Sequence, residues 1–378
     1  MTVLLRDARA LDVTGVVEDA WVLFDGPLIA ATGTGQPPGA DRSVPLDGAW
    51  LTPGFLDLHV HGGGGFAFDD GPASISAALR AHRAHGTTRA LVSLVASPLD
   101  VLEARLDEIA ALTGGPDGVL GAHLEGPFLA HSRCGAHDPE FLRAPDPADV
   151  GRLLDAARGS LRQLTLAPEL PGAFPAIEQL TAAGVTVAVG HTEADLATTA
   201  RAFDAGARLL THAFNAMPGL HHRAPGPVIA ALADDRVTLE VVLDGVHVHP
   251  GLVALLAAGA PGRIALVSDA MAAAGATDGS YPLGGRRVDV RDGRAVLEGT
   301  GTIAGSTLTL DTALRLAVDV VGLDPVAAVT ALTATPARAI GLGDRFGRLA
   351  PGYAADAVVL GDDWSVRAVW ADGEPVEP

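Results

Sequence analysis

The chain has 378 residues, 48% of them hydrophobic, and a formal charge of −19 at pH 7. Such a length and apolar content exclude a disordered chain and predict one large domain with a smaller companion. The acidic balance excludes the basic face that nucleic acid requires, and the one cysteine, Cys134, excludes an intramolecular disulfide framework.

Residues 1–50 read as short strands at 2–5, 15–17, 20–24 and 28–31, with glycine and proline at the breaks. The opening residues MTVLLRDARALD lack the basic and apolar regions of a secretory leader, and no segment is apolar for the length of a bilayer span. The expectation is a soluble, cytoplasmic protein with no membrane or nucleic-acid partner.

The body alternates strands with helices. Strand candidates fall at 55–59, 89–95, 119–124, 161–166, 185–189, 207–210, 238–243 and 264–267, with helices predicted at 73–85 and 99–112 among the connections. Eight βα units predict a (β/α)8 barrel of the TIM type, with an open doubly wound sheet as the lesser alternative. A glycine-rich piece at 279–305 reads as a β-hairpin insertion, and helices follow at 308–321 and 325–332. Strand texture returns at 356–360 and 366–370, so the two ends are expected to pair into one small β-sandwich. The expected division is 1–51 and 344–378 for the sandwich and 52–343 for a metal-dependent catalytic barrel.

Polar residues collect at the strand ends, where a barrel carries its chemistry. The first strand closes with His59 and His61, whose spacing puts both imidazoles on one side of the backbone. Glu125 closes the third strand, His191 and His212 the fifth and sixth, His247 follows the seventh, and Asp269 ends the eighth. Imidazoles and carboxylates converging on one rim predict a metal site, while His82, His85, His131 and His249 read as hydrogen-bonded structural residues. His123 lies in phase with Glu125 one layer deeper and is expected to orient a ligand.

Amide hydrolysis would use this set. A bound metal makes a nucleophile available at neutral pH, and a carboxylate must take the water's proton and pass one to the departing amine. Asp269 is the candidate for both transfers, and His247 for stabilising the carbonyl oxygen as charge develops. The chain has no lysine, so no carboxylated lysine can bridge two ions; Glu125 is the candidate bridge, and Glu169 the fallback.

The ordered motifs PGFLDLHVHG, HLEGPF, GAHDP, LAPE, GHTEA, THAFNAM, LDGVHV and VSDA resemble the N-acetylglucosamine-6-phosphate deacetylases of the amidohydrolase superfamily, over almost the whole chain. The resemblance implies a principal divalent metal on Glu125, His191 and His212, with Asp269 as acid/base. It implies that His137 and His247 contact the N-acetyl region, and that Asn215, the Ala216 backbone and Arg223 hold the phosphate. Members with the His59–His61 pair intact hold a second ion, so one or two ions, zinc or iron, are expected. The matching arginine in the family reaches a neighbouring site, which implies a homodimer completed by Arg223, with His222 assisting. The galactosamine epimer, a cyclic amide or aminated base, and a catalytically dead metal-binding barrel are the alternatives. Cys134 reads as a loop cysteine near the site, without a catalytic role.

Overall fold

Eight parallel strands, almost wholly buried, form the centre of the molecule. In the computed structural model, which describes residues 1–376, they run Phe55–Asp57, Thr87–Val95, Val119–Glu125, Leu161–Leu166, Thr186–Val189, Leu209–Leu210, Thr238–Val241 and Ile264–Leu266. Each pairs in parallel with its sequence neighbour. The first and eighth strands meet just past their ends, where Asp269 N–H donates to His59 O at 2.8 Å and His61 N–H to Ala270 O at 2.8 Å. The sheet is thus a closed (β/α)8 barrel, and the doubly wound alternative is excluded.

The helices between strands follow from spacing and caps. Helix Leu99–Leu112 buries Leu99, Leu102, Leu106 and Ile109, an i, i+3, i+7, i+10 stripe along one face. Helix Pro147–Ala157 starts on Asp146, whose side chain accepts from Ala148 N–H at 2.8 Å, with proline pre-set for the first turn. The predicted helix at 308–321 is α-helical only over Leu310–Arg315 and then continues as a π-helical turn over Leu316–Val321. The insertion is a three-stranded antiparallel meander, Gly279–Leu283, Arg286–Arg291 and Arg294–Leu297, rather than a two-stranded hairpin.

The chain ends pair as expected: Ala357–Leu360 runs antiparallel to Trp50–Pro53, and Trp50–Pro53 in turn pairs with the opening strand Thr2–Asp12. The strands predicted at 15–17 and 20–24 are one strand, Gly15–Asp25; the polar break is Asp19 in a left-handed conformation (φ 50°), beside a bulge in the pairing with the first strand. Val3, Leu5, Val22, Phe24, Leu51, Val359 and Trp370 fill the space between its layers. Residues 377–378 of the expected C-terminal part lie outside the described residues. No helix among the described residues is long and apolar enough to cross a membrane.

A buried ion pair joins the two layers. Arg89, on the second barrel strand, donates from Nε to Asp356 Oδ2 at 2.6 Å and from Nη2 to Asp356 Oδ1 at 2.8 Å, and also reaches Asp372. Both main partners are buried, so losing the arginine alone would strand a carboxylate away from water. Arg89→Met is therefore expected to cost about 3–5 kcal/mol in chemical denaturation, and adding Asp356→Leu to recover part of it. A loss below about 1 kcal/mol would show that the pair does not tie the layers together.

Candidate metal centre and active site

Backbone strain marks the rim where the strands end. His191 (φ 46°), His212 (φ 25°) and Asp269 (φ 48°) all adopt the left-handed region, and Phe214 and Ala216 do so in the loop after His212. Non-glycine residues are held there only when surrounding structure over-determines them, and such residues cluster at functional sites. Gly190 shows how tight the rim is: a Cβ there would lie 2.8 Å from side-chain carbons of Thr165 and Thr211.

Two buried groups of ligand atoms meet at this rim. In the first, Glu125 Oε1 lies 3.0 Å from His191 Nε2 and 3.0 Å from His212 Nε2, and the two imidazole nitrogens are 3.0 Å apart. In the second, His59 Nε2 and His61 Nε2 are 3.1 Å apart, with Asp269 Oδ1 3.6 and 3.4 Å away. Glu125 faces both, because its Oε2 lies 3.3 Å from His61 Nε2.

The chemistry of this donor set fits divalent cations. His191 Nδ1–H donates to Arg133 O at 2.7 Å, which turns Nε2 toward the Glu125 carboxylate, and in the Nδ1–H tautomer Nε2 presents a bare lone pair there. Lone pairs facing one another repel unless positive charge lies between them. Separations of 3.0 Å also match neighbouring ligands of one ion with bonds of about 2.0–2.2 Å. The carboxylates impose the same demand for positive charge on the second group. Burial opposes a proton on His61, yet hydrogen bonds to Asp269 and Glu125 raise its pKa to about 9.

Beneath the ligands lies a polar layer. His123 sits between Ser93 Oγ and Thr165 Oγ1, each 2.9 Å away, and burial pushes its pKa well down, so it is a neutral ring packed edge-on against His59. Among the described residues its hydrogen bonds reach neither ligand group, so its one contact with a predicted ligand is the packing against His59. Glu240 and Gln163 escaped the sequence reading: Gln163 Nε2 donates to Glu240 Oε1 at 2.7 Å, and Glu240 Oε2 lies 3.4 Å from His59 Nδ1. The available signal was a polar residue within an apolar run, in LRQLTL and in TLEVVL. Asp57 was missed as a site residue in the same way. Its Oδ1 accepts from His59 N–H and Ser268 N–H, both at 3.2 Å, and burial raises its pKa to about 6.

A cavity of about 370 Å³ opens above the two groups. His137 projects into it with Nδ1 accepting from Ala96 N–H at 3.1 Å, which leaves the proton on Nε2, 3.3 Å from Glu125 Oε2. His247 enters from the other side, its Nδ1 held by Asp244 Oδ2 at 2.7 Å and its Nε2 3.7 Å from Asp269 Oδ2. Asn215 and Ala216 also line it, and Asn215 Nδ2 donates to His212 O at 3.2 Å and to Ala213 O at 3.3 Å. Arg286 of the inserted meander donates to His137 O at 3.2 Å and fastens the loop over the cavity. Within this one chain His222 and Arg223 do not line the cavity: both are exposed, with Arg223 Nη1 2.7 Å from His222 Nε2.

Several other residues have structural roles. Glu169, the fallback ligand, is not in either group; it accepts from Thr192 Oγ1 at 2.5 Å and from Glu193 N–H at 2.6 Å. His82 bonds Gly62 O at 2.8 Å, His85 bonds Asp311 at 3.2 Å, and His249 caps the helix Pro250–Gly259. Cys134 is a free, half-buried thiol that does not line the cavity.

Known proteins share this architecture. The chain is 43% identical, with a TM-score of 0.94, to an N-acetyl-D-glucosamine-6-phosphate deacetylase mutant from Mycobacterium smegmatis solved with N-acetyl-D-glucosamine 6-phosphate, covering 100% of this chain and 99% of that one. It is 39% identical to an N-acetylgalactosamine-6-phosphate deacetylase of Escherichia coli O157:H7 over 99% of both chains. A human N-acetylglucosamine-6-phosphate deacetylase is 37% identical over 89% of this chain and 86% of its own. The model of the Amidohydrolase family matches residues 50–376, and the chain belongs to that family.

Proposed function

We propose that the protein hydrolyses the acetamide of N-acetylglucosamine 6-phosphate to glucosamine 6-phosphate and acetate. The observation that carries this reading is a cavity lined both by a cation-demanding carboxylate–imidazole cluster and by Asn215 and Ala216, in a chain whose relatives bear the deacetylase name. The E. coli relative makes the galactosamine epimer the second substrate to test. The missing lysine counts against a relative acting on a cyclic amide through a carboxylated bridge, and the intact ligand set and Asp269 count against a dead barrel.

Glu125, His191 and His212 would hold the principal divalent ion, zinc or iron, and His59 and His61 a second, with Glu125 shared between them. When bound, such an ion supplies Lewis acidity, which acidifies water and polarises a carbonyl. Asp269 then takes a proton from the attacking water and returns one to the nitrogen as the C–N bond breaks, so the amine leaves neutral. Burial opposes charge on His247, but its bond to Asp244 and the field of Asp269 raise its pKa. That favours a hydrogen on Nε2, which would donate to the carbonyl oxygen as negative charge grows there. His137 Nε2–H would orient the acetyl group.

For the phosphate, Asn215 and the Ala216 backbone would serve from within the chain. Arg223 would serve from a second copy, with His222 beside it, because paired donors suit a phosphate and neither side chain reaches its own cavity. Leu220, close to this arginine in sequence, is an exposed apolar side chain that a homodimer would cover. A cytoplasmic location would suit a phosphorylated substrate and a free thiol.

Metal linkage offers a first check. Zinc at about 100 times its Kd should stabilise the wild type by about 2.7 kcal/mol, and Glu125→Ala should abolish the gain; an equal gain in the variant would remove Glu125 from the centre.

Acetate release from a panel of N-acetylated sugars, with and without the 6-phosphate, tests substrate and epimer together. Asp269→Asn should lower kcat by about 10²–10⁴-fold, and wild-type turnover in that variant would overturn the acid/base assignment.

Arg223→Ala should raise KM for the phosphorylated sugar about 10-fold or more, the loss of one charged contact. Mixed dimers of Arg223→Ala and Asp269→Asn chains should regain part of the activity, since one site then has both intact residues. Absence of rescue would exclude action in trans.

A further inference from the structure

Glu240 is a carboxylate at the centre of the barrel, on the seventh strand, with no exposure to solvent. Its surroundings hold little to compensate it. Among the described residues its side chain meets two polar groups, the Gln163 amide at 2.7 Å and His59 Nδ1 at 3.4 Å. Burying a carboxylate this way costs several kcal/mol unless charge or hydrogen bonds offset it, and one neutral amide offsets only part. The balance must come through His59. The other face of that ring looks into the cluster, with Nε2 3.1 Å from His61 Nε2 and 3.4 Å from Glu125 Oε1.

We propose that Glu240 is a positioning residue: it holds the Nδ1–H of His59 so that the Nε2 lone pair faces the cluster, and thereby makes the His59–His61 pair a site for a second cation. A carboxylate oxygen only accepts, so the contact requires hydrogen on Nδ1, and the neutral ring then has a free donor pair on Nε2 alone. An imidazole backed by a carboxylate is also a more basic ligand than one backed by a neutral group. Gln163 serves Glu240 in turn. Its amide fixes Oε1, which leaves Oε2 for the histidine, and its own Oε1 has no partner.

The principal group is built differently. His191 is oriented by the Arg133 carbonyl, a neutral acceptor, and His212 Nδ1 has no hydrogen-bond partner among the described residues. Glu240 therefore acts on the second ion and not on the first. This inference rests on the two-ion reading proposed above.

The test compares wild type, Glu240→Gln, which keeps an acceptor and removes the charge, and Glu240→Leu, which removes both. Ions per chain are counted by elemental analysis after dialysis, affinities are measured by chelator competition, and the His59 tautomer is read from ¹⁵N–¹H correlations in metal-free protein at a pH high enough for the ring to be neutral. The inference expects two ions in the wild type and an unchanged first affinity in both variants. The second affinity should fall about 10–100-fold in Glu240→Gln and further in Glu240→Leu, with the Nδ1–H form of His59 lost in the leucine variant alone. Equal affinities for both ions in all three proteins, or a matched loss of both ions, would overturn it. A wild type holding a single ion would sink the two-ion reading instead; the tautomer then judges Glu240 alone, and a His59 that keeps Nδ1–H in Glu240→Leu rejects the role. Should Glu240→Leu fail to fold, the stoichiometry of Glu240→Gln decides by the same criteria.

Discussion

The site depends on one carboxylate shared between two groups of imidazoles. Glu125 Oε1 faces His191 and His212, its Oε2 faces His61 and His137, and the whole side chain is buried. An anion in that position needs cations on more than one side, and this demand explains why six strands send polar side chains to one rim of an otherwise apolar barrel. It also explains the tolerance of left-handed backbone at His191, His212 and Asp269. Each strained residue places a polar side chain against the cluster, and the packed strands beneath leave the backbone no easier path.

Closure of the barrel brings the second half of the cluster to Glu125. His59 and His61 follow the first strand and Asp269 the eighth, far apart in sequence, yet backbone bonds between residues 59–61 and 269–270 align them. Asp57 takes part in the same closure, because one of its oxygens accepts an N–H from each of these two strands. The fold and the chemistry are therefore coupled at the seam, where a shift of register would separate the acid from the histidines it faces.

The rim was legible because most βα units repeat the same sign: an apolar run followed by a histidine or carboxylate. Eight apolar runs indicate a barrel, and the polar residues that follow six of them are the ones that meet. The polar layer below was harder to read. Glu240 and Gln163 stand within apolar runs, and nothing local says that a strand's inward face lies under a metal site and not under aliphatic core. The sandwich strands were read too short for a different reason. Polar residues around Asp19 interrupt the pattern, but the structure absorbs them in a bulge without ending the strand. The position of Arg223 in one chain gave the opposite lesson: its residue type fits a phosphate, while its place outside its own cavity is a property of the folded loop.

The absence of lysine links these observations. In a barrel that bridges two ions through a modified lysine, the fourth strand supplies that bridge. Here the fourth strand supplies no ligand to either group. Its inward residues are Gln163, which donates to Glu240, and Thr165, which sits against His123 and Thr211. Glu125 on the third strand is the carboxylate that faces both groups, and the fourth strand builds the layer beneath. Ligands and supports are thus divided by depth: carboxylate and imidazole at the strand ends, amide, hydroxyl and a second carboxylate one layer down, and aliphatic packing below that. A buried polar group costs stability unless it is hydrogen-bonded, and in this layer the contacts of Gln163 and Glu240 lead up to the ring of His59.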